Sequence, residues 1–192
     1  MWNQRFAQKE FMYGKEPNAF CKMQLKNYKL GKVLFVAEGE GRNAVYAARL
    51  GWDVFAFDAS IEGIKKAQIL ASQSKVKIDY QLATYDEALY NKNFFDLIIL
   101  IFAHHVNRSQ NHQRLIKFLK PGGTIILEGF SKEQINNNTG GPPVVDLLFS
   151  KEELEADFQL LNEIKIWEER TFLNEGKGHI GESSVIRLLG KK

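Results

Sequence analysis

The chain has 192 residues, 44% of them apolar and 26% charged, and carries a net charge of +3 at neutral pH. That length suits one domain with a substantial core, and so small a charge, with no basic stripe, gives no footprint for nucleic acid. Cys21 is the only cysteine, which excludes an intrachain disulfide and a cysteine-based zinc site and points to a reducing cytoplasm.

Trp2 to Phe20 mixes five aromatics with Arg5 and several lysines, interrupted by Pro17. This reads as short helices forming an N-terminal cap over residues 1–30. Val33 to Ala37 is an apolar, mostly β-forming run that leads through Glu38-Gly39-Glu40-Gly41 into Asn43 to Leu50, whose apolar residues fall on one helical face and stop at Gly51. Val54 to Phe57 predicts a second strand closed by Asp58. Ser60 then caps a helix whose inner face carries Ile61, Ile64, Ala67, Ile69 and Leu70. Val76 to Leu82 predicts the third strand.

Phe95 to Phe102 is nearly continuous apolar sequence, as expected of a central strand covered on both faces. The longest apolar run, Leu97 to Ala103, is far short of the ~20 residues a membrane helix needs, and no signal peptide is visible, so a soluble, cytoplasmic protein is expected. A helix ends at Leu115 to Leu119, Lys120-Pro121-Gly122-Gly123 turns, and Thr124 to Glu128 predicts another strand. Residues 131–150 contain an Asn-, Gly- and Pro-rich tract too broken for regular structure, which reads as a lid loop over a pocket. Lys151 to Phe158 predicts a short acidic helix. Leu160 to Phe172 and Ser183 to Leu189 predict two closing strands about a turn from Asn174 to Gly181.

Strands alternating with helices at this spacing imply one α/β domain: a Rossmann-like, doubly wound, mostly parallel sheet with an antiparallel strand near the C-terminus. In such sheets nucleotides bind where the first strand turns into its helix. Gly39 and Gly41 can take positive φ and let a ligand lie against bare backbone, and Asp58 follows Gly39 by 19 residues, about the offset at which an acid reaches ribose hydroxyls. Gly39-x-Gly41-x-x-Ala44 also satisfies the dinucleotide fingerprint, so a nicotinamide dinucleotide, and with it an oxidoreductase, is the competing ligand reading. Glu38 and Glu40 weigh against it. Two carboxylates a few Å apart repel by about 4 kcal/mol at an effective dielectric near 20, which makes a poor pyrophosphate seat and a better one for a cation such as the sulfonium of S-adenosylmethionine.

The set WNQRF, YGKEPNAF, AEGEGRNA, FAFDAS, LKPGGTIILEGF, NNNTGGP and EGKGHIGESSVIRLLGKK resembles the class I S-adenosylmethionine-dependent methyltransferases, in particular the small-molecule branch with tellurite-resistance-type and thiopurine-type enzymes. The likeness spans nearly the whole chain, with departures: the usual acid inside the first strand is Phe35 here, the first loop glycine is Ala37, and the acid near adenine is Thr84. The resemblance implies a small-molecule methyltransferase in which Gly39, Glu40, Gly41, Asp58, Ala59, Thr84, Tyr85 and Phe102 contact the cofactor. Its N-terminal arm closes over the methionine end and offers Arg5 to the carboxylate. Asp86 is the alternative to Thr84, or else a helix cap.

Methyl transfer needs a base only when the acceptor starts protonated. His104, directly after the central strand, and His179, among the glycines of the last turn, are the candidates, with His105 behind them. The four histidines lack metal spacing, and no G-x-S-x-G elbow is present. A cofactor-binding protein without turnover remains the alternative to an enzyme. No nucleic-acid or membrane partner is expected, and the chain reads as a monomer or homodimer acting on a small-molecule acceptor.

Overall fold

A computed structural model describes residues 1–192. Its centre is a seven-stranded sheet in the order β3-β2-β1-β4-β5-β7-β6. The strands are β1 (Lys32–Val36), β2 (Asp53–Asp58), β3 (Asp79–Leu82), β4 (Phe95–Ile101), β5 (Leu119–Phe130), β6 (Glu163–Glu175) and β7 (His179–Lys191). Neighbours from β3 through β5 pair in parallel, β7 runs antiparallel to β5, and β6 antiparallel to β7. The doubly wound, mostly parallel architecture read from the sequence is therefore the fold.

Successive strand residues point to opposite faces, and both faces are covered. Leu34, Val36, Ile98, Leu100, Ile125 and Leu127 pack against α5 (Arg108–Phe118) and α6 (Lys151–Asp157). Val33, Phe35, Leu97, Ile99 and Ile126 pack on the other side against α2 (Ala19–Gln24) and α3 (Arg42–Arg49). That is why β1 and β4 read as unbroken apolar runs rather than as alternation. Phe35, standing where the resembling family carries an acid, is fully buried in this second layer.

Beside α3 lies α4 (Ile61–Gln73). Ser60 caps it as expected, its hydroxyl accepting from Gly63 N at 3.2 Å. The short α1 (Trp2–Phe6) lies against α4, so the arm does form helices. Ser150 and Glu153 form a reciprocal capping box at the start of α6.

Three boundaries differ from the sequence reading. β3 begins at Asp79 rather than Val76. β5 starts at Leu119, and its register against β4 jumps from Phe95↔Leu119 to Leu97↔Thr124, so the Pro-Gly-Gly turn survives as an irregularity inside a longer strand. The closing hairpin is longer than expected. Glu175 pairs with His179, and the turn shrinks to residues 176–178.

Residues 131–150 are not a structureless loop. They contain 3-10 turns at Lys132–Asn136 and Val145–Leu147, and Gln134 accepts from Ser184 N at 2.7 Å through Oε1. No helix is long and apolar enough to cross a membrane.

Candidate functional site

The order of strands reverses between β1 and β4, and a crevice at the carboxyl ends of those strands is where open α/β sheets collect ligands. Both strands end in backbone that side chains rarely adopt: Ala37 has φ +50° and Phe102 φ +52°. Non-glycine residues there are strained and persist only when their surroundings hold them. Here the holding is visible. Phe102 N donates to Glu128 O at 2.7 Å, and Glu38 N to Phe57 O at 3.2 Å.

The turn from Ala37 to Gly41 is organised by its own acids. Glu38 Oε1 accepts from Asn43 N and Ala44 N, both at 2.8 Å, filling orphan amides in the first turn of α3. Burial pushes its carboxyl up to about 7 against those hydrogen bonds. Glu40 has a partner on each oxygen: Oε1 pairs with Lys66 Nζ at 2.7 Å and Oε2 accepts from Met12 N at 2.8 Å. The Lys66 ammonium offsets its charge, which weakens the attraction expected between Glu40 and a sulfonium.

Gly41 has a packing role besides. At φ +84°, an added Cβ would sit 2.5 Å from the Ala67 Cβ of α4, so its missing side chain is needed for helix packing. A Cβ on Gly39 would instead meet the Phe6 ring of α1 at 3.0 Å. The arm therefore lies directly on the turn. Arg5 makes a cation-π contact with Trp2, its guanidinium carbon 5.0 Å from the ring centroid.

Asp58 ends β2 and is 8% exposed. Oδ2 accepts from Gly39 N at 2.9 Å and Oδ1 from Ser60 N at 2.8 Å. Burial raises its carboxyl above the ordinary range in spite of these bonds. Each carboxylate oxygen has two lone pairs, so one acceptor position on each remains for a pair of hydroxyl donors. Ala59 beside it is exposed.

Further along the edge, Thr84 is exposed and spends its amide and hydroxyl on Glu87. Tyr85 is buried, its hydroxyl donating to Ala103 O at 3.1 Å. Arg114 on α5 fixes this loop by donating to the carbonyls of Tyr85, Asp86 and Ala88.

The two candidate bases part company. His104 is clamped at both nitrogens: Nδ1 lies 2.7 Å from Leu147 O, and Nε2 accepts from Phe130 N at 3.1 Å. A carbonyl requires a donor and an amide requires an acceptor, so the ring is the neutral Nδ1–H tautomer with no free lone pair. Burial pushes its pKa down to about 4. His104 is thus a strut that ties the 131–150 segment to β5, which removes it from the candidate bases.

His179 opens β7 and is 5% exposed. Its ring centroid lies 4.5 Å from those of Tyr13 and Phe102 and 5.0 Å from that of Phe130. Nδ1 is buried without a hydrogen-bond partner, 3.5 Å from Glu175 Oε2. The glycine-rich hairpin tip behind it is crossed by the arm: a Cβ on Gly176 or Gly178 would strike Met12 O or the Tyr13 ring. His105 accepts from Asn107 N and contacts Asn111.

Sequence reasoning missed the polar network beneath His179. Glu175 Oε2 takes Arg42 Nη2 at 2.6 Å, and Asn18 Nδ2 donates to Glu175 Oε1 at 2.8 Å and to Glu128 Oε1 at 2.7 Å. Arg187 Nε completes it on Glu128 Oε2 at 2.5 Å. Its bonded partners lie up to 157 residues apart, so only the pattern of polar residues inside otherwise apolar strands hinted at it.

Residues 33–123 match a family model described as a methyltransferase domain. A ubiquinone biosynthesis O-methyltransferase of Rickettsia prowazekii is 31% identical over 103 residues, 53% of this chain and 40% of that protein. The match thus spans less than half the length of that curated relative. Among solved structures, the fold resembles the protein in a study of the conversion of a disulfide bond into a thioacetal group during echinomycin biosynthesis. It shares 16% identity with this chain at a TM-score of 0.77, over 99% of this chain and 87% of that one. TehB from Haemophilus influenzae is similar at 18% identity and a TM-score of 0.71, over 92% of this chain and 62% of that one.

Proposed function

We propose, from the premise of a methyltransferase domain over residues 33–123 on the class I methyltransferase fold, with S-adenosylmethionine as its cofactor, that the chain is an enzyme methylating a small molecule. The cofactor supplies an electrophilic methyl group on a cationic sulfur. The observation that carries the reading is Asp58, a mostly buried carboxylate at the switch-point edge with one acceptor position left on each oxygen, which suits a ribose diol.

In this reading Asp58 holds the ribose and the Ala37–Gly41 turn supports the methionine portion. Tyr85 and Phe102 wall the site, Ala59 and Thr84 lie at the adenine edge, and Arg5 is the one arm cation offered to the cofactor's carboxylate. His179 is the base. The rings of Tyr13, Phe102 and Phe130 around it exclude water, which strengthens every polar contact made inside.

A base implies an acceptor whose nucleophile starts protonated. The relative's name, an O-methyltransferase, makes hydroxyl compounds the first class to try. The finer placement in a tellurite-resistance or thiopurine-type branch draws support from the motif set and from the likeness to TehB, one of several neighbours.

The test is calorimetric titration with S-adenosylmethionine, S-adenosylhomocysteine and NAD, followed by release of S-adenosylhomocysteine across hydroxyl, thiol and amine acceptors. Adenosyl ligands should bind more tightly than NAD. Tighter binding of NAD would overturn the reading.

A further inference from the structure

We propose that Glu175 is the positioning residue of His179: it holds the imidazole with Nδ1–H turned inward and Nε2 presented to the acceptor, and Asn18 of the N-terminal arm anchors it in that role.

Three observations converge. His179 Nδ1 is a polar atom buried without a partner, and such an atom is costly unless a hydrogen bond is within reach. A carboxylate oxygen, Glu175 Oε2, lies 3.5 Å away, just beyond hydrogen-bond length. The two residues are cross-strand partners in the closing hairpin, so only the three-residue turn separates them. The second observation is that Glu175 cannot swing away. Arg42 holds Oε2 at 2.6 Å and Asn18 holds Oε1 at 2.8 Å. Third, Asn18 itself is fixed: its Oδ1 caps α2 through Cys21 N at 2.8 Å, and its backbone amide donates to Asn43 Oδ1 at 2.9 Å. The carboxylate beside the imidazole is therefore placed by the arm, by α3 and by β6 together.

The charged and titratable groups facing His179 are Glu175 from β6, Arg42 from α3, Arg5 from α1, Tyr13 from the arm and His104 from beyond β4. Of these, only Glu175 favours a cationic ring. Burial and the two arginines oppose it. Although burial works to raise its own pKa, the His179 and Arg42 contacts hold the Glu175 carboxyl down to about 2, so it stays an anion throughout the working range.

The proton step follows from this geometry. The acceptor's proton moves to Nε2, and its bonding pair stays on the acceptor as the nucleophile. Nδ1–H remains directed at Glu175, whose charge offsets the imidazolium until the ring returns its proton to solvent. This step rests on the reading of His179 as the base, but the positioning by Glu175 is measurable without it.

Nitrogen-15 NMR of the cofactor-free protein reads the His179 tautomer and titration directly. The wild type should show the Nδ1–H tautomer. Glu175→Gln should redistribute the tautomers and lower the His179 pKa by about one pH unit or more, the usual effect of losing an adjacent opposite charge. Asn18→Ala, which keeps the carboxylate and frees it, should move both readouts in the same direction by less. A wild-type ring carrying its proton on Nε2 would overturn the proposal, and so would a folded Glu175→Gln protein whose His179 titrates unchanged. If Glu175→Gln does not fold, the wild-type tautomer and Asn18→Ala still decide. If both NMR readouts move while His179→Ala leaves turnover intact, Glu175 is upheld as the positioning residue and the base assignment falls.

Discussion

Replacing Gly41 by alanine separates a ligand cradle from a helix-packing contact. The new Cβ would lie 2.5 Å from Ala67 Cβ and 3.0 Å from Ala67 Cα, at a backbone φ of +84°. A left-handed conformation costs an L-residue roughly 1–2 kcal/mol, and forcing a methyl into a filled core costs roughly 1–3 kcal/mol more. Gly41→Ala should therefore destabilise the fold by about 2–5 kcal/mol, which in a domain of this size lowers Tm by roughly 4–20 °C. Ala67→Gly alone should cost about 1 kcal/mol of helix propensity. Combined with Gly41→Ala, it should recover part of the packing loss, leaving the left-handed cost. Thermal and urea denaturation of the four proteins, with S-adenosylhomocysteine titrated into each, gives both stability and affinity. Wild-type melting with weakened ligand binding would refute this assignment and return the methyl to the ligand's own volume.

Glu40→Gln should destabilise the protein, by about 3–5 kcal/mol if it behaves as a broken buried ion pair. Because Lys66 already offsets the carboxylate's charge, it should not distinguish S-adenosylmethionine from S-adenosylhomocysteine; a selective loss of the sulfonium ligand in calorimetry would contradict that. Asp58→Asn, which gives up one acceptor oxygen, should weaken adenosyl ligands about tenfold or more, since hydrogen bonds to a charged group are worth roughly 1.5–3 kcal/mol. Unchanged dissociation constants would remove Asp58 from the site. Glu38→Ala should leave two first-turn amides of α3 unpaired and cost about 1–2 kcal/mol in urea titrations. His104, with its pKa pushed down from 6.5 to about 4, binds its proton more weakly folded than unfolded. Its contribution is therefore present above pH 6.5 and is lost as pH falls toward about 4, to a total of roughly 3 kcal/mol. His104→Phe should flatten that acid limb of the stability profile.

What the sequence made legible was local. An apolar run from Phe95 to Phe102, a glycine turn after Val36 and a serine ahead of Ile61 each carry their structural consequence within a few residues, and each lies where expected. What it hid depends on neighbours remote in the chain. Nothing around Gly41 tells that Ala67 presses on it, and nothing around His104 tells that Leu147 and Phe130 claim both its nitrogens. The hairpin runs further than the sequence suggests because Asn174, Glu175 and Gly181 read as turn chemistry. Pairing with Ile180, His179 and Leu173, and cover of the tip by the arm, override that propensity.

The place of β7 bears on how the protein is made. It is the last of the seven strands in sequence, yet it lies inside the sheet, pairing with β5 on one side and β6 on the other. As the chain leaves the ribosome, β5 exposes an unpaired edge beside Ile125, Ile126 and Leu127 until residues 179–191 follow. An open apolar edge is a template for pairing with other chains, and domains fold as units during synthesis. Val185, Ile186 and Leu188, all fully buried, enter the core only at that stage. A ribosome stalled before His179 would present an aggregation-prone intermediate in place of a smaller working domain, so this fold's dependence on chaperones should last until residues 179–191 have been made.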